Sequence, residues 1–381
     1  MQLLFANPKS PQAQRTPWFR FTLWSLWSLT WLGACLPGEN PEEKETQAQS
    51  PLSGAEIPQT PEKPKAQTRT SPQVSVSWSS SWNGGEWVTR LVVGPENRLW
   101  AICQQPAQCL ESSDHGRSWQ LRFATEESAG LVGGGWLREP EISSQASQQG
   151  TTSILLVGME GQVWKLSMQK DRNDQSEIIR TGGDILVRET SFSRSGKHIL
   201  LVGETGRLVE SRDGGGHWQS HDLPSQSSLH AAWIDDSGRA WVGGSGGLLF
   251  ERQKIESGKI RWQQKPLPEP FQIEDILFHG QHLGWCAGSQ GKLFQTEDGG
   301  NTWHRQPQVH PGFFTRLARS QDGHLFIAGD AGLVQYRRAG EKNWKALPTF
   351  DQTLWLDLLF LPSRELLLAG SDPFIASLKW P

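Results

Sequence analysis

Three stretches, SSDHGRSW (Ser112–Trp119), SRDGGGHW (Ser211–Trp218) and TEDGGNTW (Thr296–Trp303), share the form Ser/Thr-x-Asp-x-Gly-x-x-Trp. The pattern reads as a hairpin turn. The carboxylates of Asp114, Asp213 and Asp298 can accept hydrogen bonds from amides of their own turn. The hydroxyls of Ser112, Ser211 and Thr296 add another partner two residues earlier. Gly116, Gly215 and Gly300 can take the positive φ that such turns need. Trp119, Trp218 and Trp303 then open the next strand and pack against the hairpin, with about 3–5 kcal/mol lost if a buried one is truncated. Three copies in one phase point to a repeat architecture, and a structural role for these residues rather than a catalytic one.

Working outward, a second signature recurs. VGMEG (Val157–Gly161), VGETG (Val202–Gly206), VGGSG (Val242–Gly246), AGSQG (Ala287–Gly291) and AGDAG (Ala328–Gly332) each pair glycines around two variable residues. That suits a two-residue hairpin with positive φ. Closing Trp positions fall at Trp119, Trp218, Trp262, Trp303, Trp344 and Trp380, spaced 44, 41, 41 and 36 residues apart from Trp218 onward. The 99-residue gap before Trp218 holds two units, one without its Trp and with a polar loop near Lys170–Glu177. The count is seven units, each of the length of a four-stranded propeller blade. The last unit offers strands at Leu354–Phe360, Glu365–Ala369 and Phe374–Trp380 and then stops. Its missing fourth strand is expected from Val74–Trp82, which would close the ring and bury both sheet edges. The expected fold is an all-β, seven-bladed β-propeller over residues 74–381.

Ahead of it, residues 1–20 carry Lys9, Arg15 and Arg20 and no acid, followed by an apolar run from Phe21 to Ala34. Leu32-Gly33-Ala34-Cys35 reads as a bacterial lipoprotein signal over residues 1–35, with Cys35 lipidated. The other readings are an ordinary cleaved signal or an uncleaved anchor. Residues 36–73, rich in Pro, Glu, Gln, Thr and Ser, read as a disordered tether. The location expected is therefore outside the cytoplasm, held to a bacterial membrane. The formal net charge of −3 gives no case for nucleic acid. Cys103 and Cys109 flank a unit-one loop in which QQPAQ replaces the Gly-x-x-Gly turn. Export permits a disulfide there, and one is expected. Cys286 reads as a buried small apolar residue.

Units such as LGWCAGSQGKLFQTEDGGNTW (Leu283–Trp303) and HILLVGETGRLVESRDGGGHW (His198–Trp218) resemble the photosystem II stability/assembly factor family. That family lies within the wider group carrying bacterial neuraminidase (Asp-box) repeats. The resemblance covers 74–381 and implies a seven-bladed propeller that assists membrane-complex assembly by docking a protein partner, without enzymatic activity or cofactor. It does not by itself imply photosynthesis.

Aligning first strands on Val93, Trp136, Phe192, Trp233, Phe278, Arg319 and Phe360 places a second set three residues earlier. These are Arg90, Gly133, Glu189, His230, Asp275, Arg316 and Asp357, six of them polar or ionisable. Charges turned into a channel are costly unless solvated or paired. Two readings follow: a self-satisfying ring of ion pairs, or a partner-binding ring anchored by Arg90 and Arg316. The alternative function is a glycan-binding or glycan-hydrolysing propeller. Glu189, Asp275 and Asp357 could supply two carboxylates. Against the sialidase form, the sole tyrosine, Tyr336, falls in a third strand away from the axis. His279 and His282 sit in a polar turn without further ligands in phase, so no metal site is expected.

Overall fold

The computed structural model describes residues 76–78, 84, 86–126, 128–138, 152–168, 175–182, 185–254, 259–307, 310–347, 353–361, 363–372 and 375–379. The signal and Cys35, the tether, Trp380 and both ends of Val74–Trp82 lie outside the described residues. Among the described residues, no helix is long and apolar enough to cross a membrane.

Seven four-stranded antiparallel sheets make up the fold. Their first strands are β2 (Glu86–Val93), β6 (Leu131–Arg138), β10 (Val187–Phe192), β14 (Leu229–Ile234), β18 (Ile273–His279), β22 (Phe314–Arg319) and β26 (Trp355–Phe360). Each contacts the first strand of the next blade, and the last meets the first. Six blades take four consecutive strands. The seventh has β26, β27 (Glu365–Gly370) and β28 (Ile375–Lys379), and its outermost place is filled by β1 (Val76–Trp78). Val76 pairs with Leu378 and Trp78 with Ala376. The fold is a seven-bladed propeller closed by an N-terminal strand.

Its core is divided among the seams. Each of seven apolar clusters joins residues of two adjoining blades. In one, Trp241 of blade 4 packs with Phe278 and Trp303 of blade 5. Trp241 lies 6.0 Å from Trp303, edge to face. The strand alternation that buries one face against each neighbour is thus what holds a blade in the ring.

The paired glycines serve two purposes. In blade 3, Arg207 N–H bonds the Glu204 carbonyl at 3.1 Å, and the central Thr205 and Gly206 have φ of 54° and 69°. That is the hairpin turn in which both central residues take positive φ. The opening glycine, Gly203, is extended, and what it needs is space. A Cβ there would stand 1.9 Å from the Leu186 carbonyl oxygen.

The Asp-box turns are built from their own side chains. Asp298 accepts from Thr302 N–H at 2.9 Å, Thr302 Oγ1 at 2.6 Å and Thr296 Oγ1 at 2.8 Å. Gly300 N–H donates to Thr296 Oγ1 at 2.8 Å. The Thr302 hydroxyl and amide hold the Asp298 carboxyl well below the usual carboxylate range. Ser112 with Asp114, and Ser211 with Asp213, repeat the arrangement. Gly116, Gly215 and Gly300 have φ of 86°, 89° and 94°. Trp119 and Trp303 are buried and Trp218 is half-buried.

The expected disulfide is absent. β3 (Leu99–Gln105) and β4 (Gln108–Ser112) pair with Cys103 opposite Gln108 and Cys109 opposite Ile102. Neighbours along a strand point to opposite faces, so the two sulfurs leave the sheet on opposite sides. Cys103 packs in the seam with blade 7, and Cys109 in the seam with blade 2. The loop is also short: only Pro106 and Ala107 separate the strands. Cys286 is buried, where burial pushes its thiol well up.

Candidate functional site: the channel network

Every blade carries a register shift at the same place in its first strand. The shifts fall between Val88 and Arg90, Leu131 and Gly133, Val187 and Glu189, Leu229 and Ala231, Ile273 and Asp275, Phe314 and Arg316, and Trp355 and Asp357. A bulge leaves one residue unpaired and re-aims its neighbours. The seven residues just past it therefore occupy equivalent positions: Arg90, Gly133, Glu189, Ala231, Asp275, Arg316 and Asp357.

Five of the six expected ring residues form one network with Arg316 as its hub. Arg316 Nη1 reaches Glu189 at 2.5 Å and Asp275 at 4.0 Å, and its Nε lies 3.7 Å from Asp357. Nε also donates to the Leu356 carbonyl at 2.7 Å. Arg90 pairs with Glu189 and lies 3.6 Å from Asp357. Glu189 is in blade 3 and Arg316 in blade 6, so this pair crosses the axis. The five side chains therefore meet one another across the channel.

Two of the carboxylates also tie blades together. Asp275 of blade 5 accepts Leu317 N–H of blade 6 at 2.7 Å, beside Arg316. Asp357 of blade 7 accepts Leu91 N–H of blade 1 at 2.6 Å, beside Arg90. One device thus recurs: an Asp just past the bulge binds the amide after the next blade's Arg. At Gly133 the place is taken from outside, since a Cβ there would meet Thr190 Oγ1 of blade 3 at 2.2 Å. Burial pushes the Asp275 carboxyl up to about 6, although Arg316 and the Leu317 amide pull the other way. Asp357 is raised by burial against Arg90 and Arg316. Arg316 is held above its ordinary value: its three carboxylates outweigh its burial.

His230 does not join them. It is the bulged residue of blade 4, and the buried Ala231 holds the equivalent of Asp275. The alignment slips by one because it rests on Trp233, whereas Ile234, three residues past Ala231 and paired with Ala240, holds the place that Phe192 holds opposite Ile199. The turn of this blade likewise falls a residue later than VGGSG, with positive φ at Gly246 and Gly247. His230 Nε2 lies 3.0 Å from Ser245 Oγ. Burial, and then Arg188, push the imidazole down to about 4, with Glu204 opposing.

His230 instead leads to a group that sequence reasoning missed. The bulged residues of blades 3, 4 and 5 are Arg188, His230 and Glu274, all ionisable. Arg188 pairs with Glu204, which also accepts from Ser228 Oγ. Gln272 Nε2 donates to Glu274 at 2.5 Å. Burial pushes the Glu274 carboxyl up to about 8, with Glu189 adding to the rise and Arg316 and Arg188 opposing it. The available signal was the residue before each ring position, read together with the bulge. This arc adjoins the strand two-to-three turns. Leu186, 42% exposed, gives its carbonyl to Glu204 N–H beside it.

Chemically, each of the network's carboxylates meets a guanidinium, and Asp275 and Asp357 also accept a backbone amide. Tyr336 is buried against Phe326 in a third strand, away from the axis. Among the described residues no three His, Cys, Asp or Glu gather in a way that could hold a metal ion. His279 and His282 are exposed.

Comparisons with known proteins agree with this architecture. Residues 254–354 match the family described as photosynthesis system II assembly factor YCF48. The photosystem II assembly lipoprotein Ycf48 of Synechococcus sp. (strain CC9902) is 30% identical over 236 residues, covering 61% of this chain and 66% of that protein. Over other curated relatives the matched stretch spans about half of their length, 46% in one case. A solved structure of YCF48 bound to D1 peptide superimposes with a TM-score of 0.60 at 14% identity, covering 82% of this chain and 96% of that one. Virginiamycin B lyase from Staphylococcus aureus does so with 0.64 at 12%, covering 81% and 100%. Similarity at that level shows the fold, and one fold hosts an assembly factor and a lyase alike.

Proposed function

We propose that the chain, a propeller similar to the photosystem II assembly factor family, is a non-enzymatic docking platform for a protein segment of a membrane complex. It acts outside the cytoplasm, held to a membrane through lipidated Cys35 at the end of a 1–35 signal and a 36–73 tether. The relatives named as lipoproteins support the anchor, and YCF48 bound to D1 peptide supports an extended peptide as the kind of partner.

The observation that carries this reading is the ion-pair network across the axis. Arg90, Glu189, Asp275, Arg316 and Asp357 are tied to one another by ion pairs across the axis. Each of these carboxylates is already engaged with an arginine, which supports a docking role over the glycan-cleaving alternative. The ring residues then serve docking by shaping the mouth. Leu186, with Arg188 and His230 beside it, is the contact region on the turn face.

The test is a binding titration of the purified propeller with a D1-derived peptide, alongside crosslinking in detergent-solubilised membranes. Saturable binding that Leu186→Glu weakens about tenfold or more, the size of one lost apolar anchor, supports the reading. No saturable binding and no crosslinked membrane-complex subunit, or turnover of a glycan panel, contradicts it.

A further inference from the structure

The channel holds more acid than base. Arg90 and Arg316 face Glu189, Asp275 and Asp357 directly, and Glu274 lies within electrostatic reach of Arg316, Glu189 and Arg188. Arg188 brings its own partner, Glu204. Among the described residues, three guanidinium groups thus meet five carboxyl groups, two in excess. The remaining neighbour, His230, is turned to Ser245. Unpaired buried carboxylates are relieved by taking up protons. The geometry indicates which ones. Glu189 is bound by both arginines. Asp357 lies near both and accepts Leu91 N–H. Asp275 stands 4.0 Å from its one arginine, and Glu274 has an amide partner, Gln272, and no guanidinium contact.

We propose that the channel network is a proton-uptake site, with one proton on Glu274 and a second bound by Asp275 on acidification, so that mild acid tightens the ring. This does not depend on which partner docks. Each step is the addition of a solvent proton to a carboxylate oxygen. A protonated carboxyl still presents a carbonyl oxygen, so the Asp275–Leu317 tie between blades 5 and 6 survives while repulsion from Glu189 falls.

The sign follows from linkage. Both carboxyl groups are raised in the folded chain. Between the unfolded values near 4 and the folded values, the native state holds protons that the unfolded chain has released. Their contribution is fully present below the unfolded values and is lost as pH rises through about 6 for Asp275 and about 8 for Glu274. His230 acts oppositely. Its lowered value means that the unfolded chain binds the extra proton as pH falls from about 6.5 towards 4.

The experiment compares the full propeller with the Glu274→Gln/Asp275→Asn variant, both carrying His230→Gln. Melting temperature and proton uptake are followed from pH 9 to pH 5. The parent should melt at a temperature that rises as pH falls and should take up roughly one to two protons more than the variant, whose melting profile should be flatter. Equal slopes and equal uptake overturn the proposal. Infrared spectroscopy of the parent decides independently of whether the variant folds. A protonated-carboxyl carbonyl band present at pH 7 and growing towards pH 5 is expected, and its absence throughout that range overturns the proposal.

Discussion

Two buried charge clusters in this ring treat their carboxylates in opposite ways. In the body of blade 3, Glu210 is 1% exposed. It is met by His221 at 2.8 Å, Arg212 at 2.9 Å and Arg252 at 3.0 Å. Burial alone would raise its carboxyl, yet the His221 and Arg212 hydrogen bonds and the nearby arginines hold it at about 2. In the channel, Asp275 is pushed up to about 6 and Glu274 to about 8. Exposure does not explain the contrast, since Glu210, which stays ionised, is the more completely covered from solvent, and Asp275 and Glu274 are half-buried. Stoichiometry does: one carboxylate among three basic groups stays ionised, while several sharing two guanidiniums do not.

The largest expected effect comes from removing residues 1–82. Blade 7 loses its outermost strand, β1, and the channel contacts of Arg90 and Leu91 with Asp357 tie that blade to blade 1. We expect melting to fall by roughly 8–10 °C, the size of several kcal/mol for a chain this long, while the Glu210 cluster, shared by blades 3 and 4, keeps its geometry. Unchanged melting would mean that ring closure and channel network are independent. Glu210→Ala comes next. It strands buried basic groups and should cost about 3–5 kcal/mol in chemical denaturation at pH 7.

Arg316→Met should cost about 3 kcal/mol at pH 7.5, because three carboxylates lose their shared partner. The loss should shrink at pH 5, where protons can replace the guanidinium. Arg252→Met is the matched change at the other cluster. Glu210 retains Arg212 and His221, so about 1 kcal/mol is expected, without relief in acid. Equal pH responses for the two variants would break the comparison. The smallest effect is that of Asp275→Asn, within about 1 kcal/mol at pH 7, since an amide oxygen can still accept Leu317 N–H.

The fold was legible because the repeat states its own phase. Glycines mark turns whose central residues have positive φ or whose backbones press on a neighbouring carbonyl, as at Gly203, and tryptophans mark the seams. The site was legible only in part. Arg90, Glu189, Asp275, Arg316 and Asp357 stood out as charges in apolar strands, but nothing local announces a bulge, so Arg188 and Glu274 went unread. His230 was drawn into the ring because Trp233 and Ile234 are both apolar, and only the pairing of the strand shows that Ile234 is the one in phase. The cysteine pairing failed on parity: nearness in sequence suggested a bridge, while Cys103 and Cys109 lie on opposite faces of one sheet.

Site-resolved carboxyl carbon NMR across a pH titration tests the central claim most directly, that the ratio of basic groups to carboxylates sets each cluster's charge. The account predicts that Asp275 titrates near pH 6 while Glu210 stays ionised down to about pH 2. Both carboxyls titrating together near the ordinary carboxylate value would contradict it.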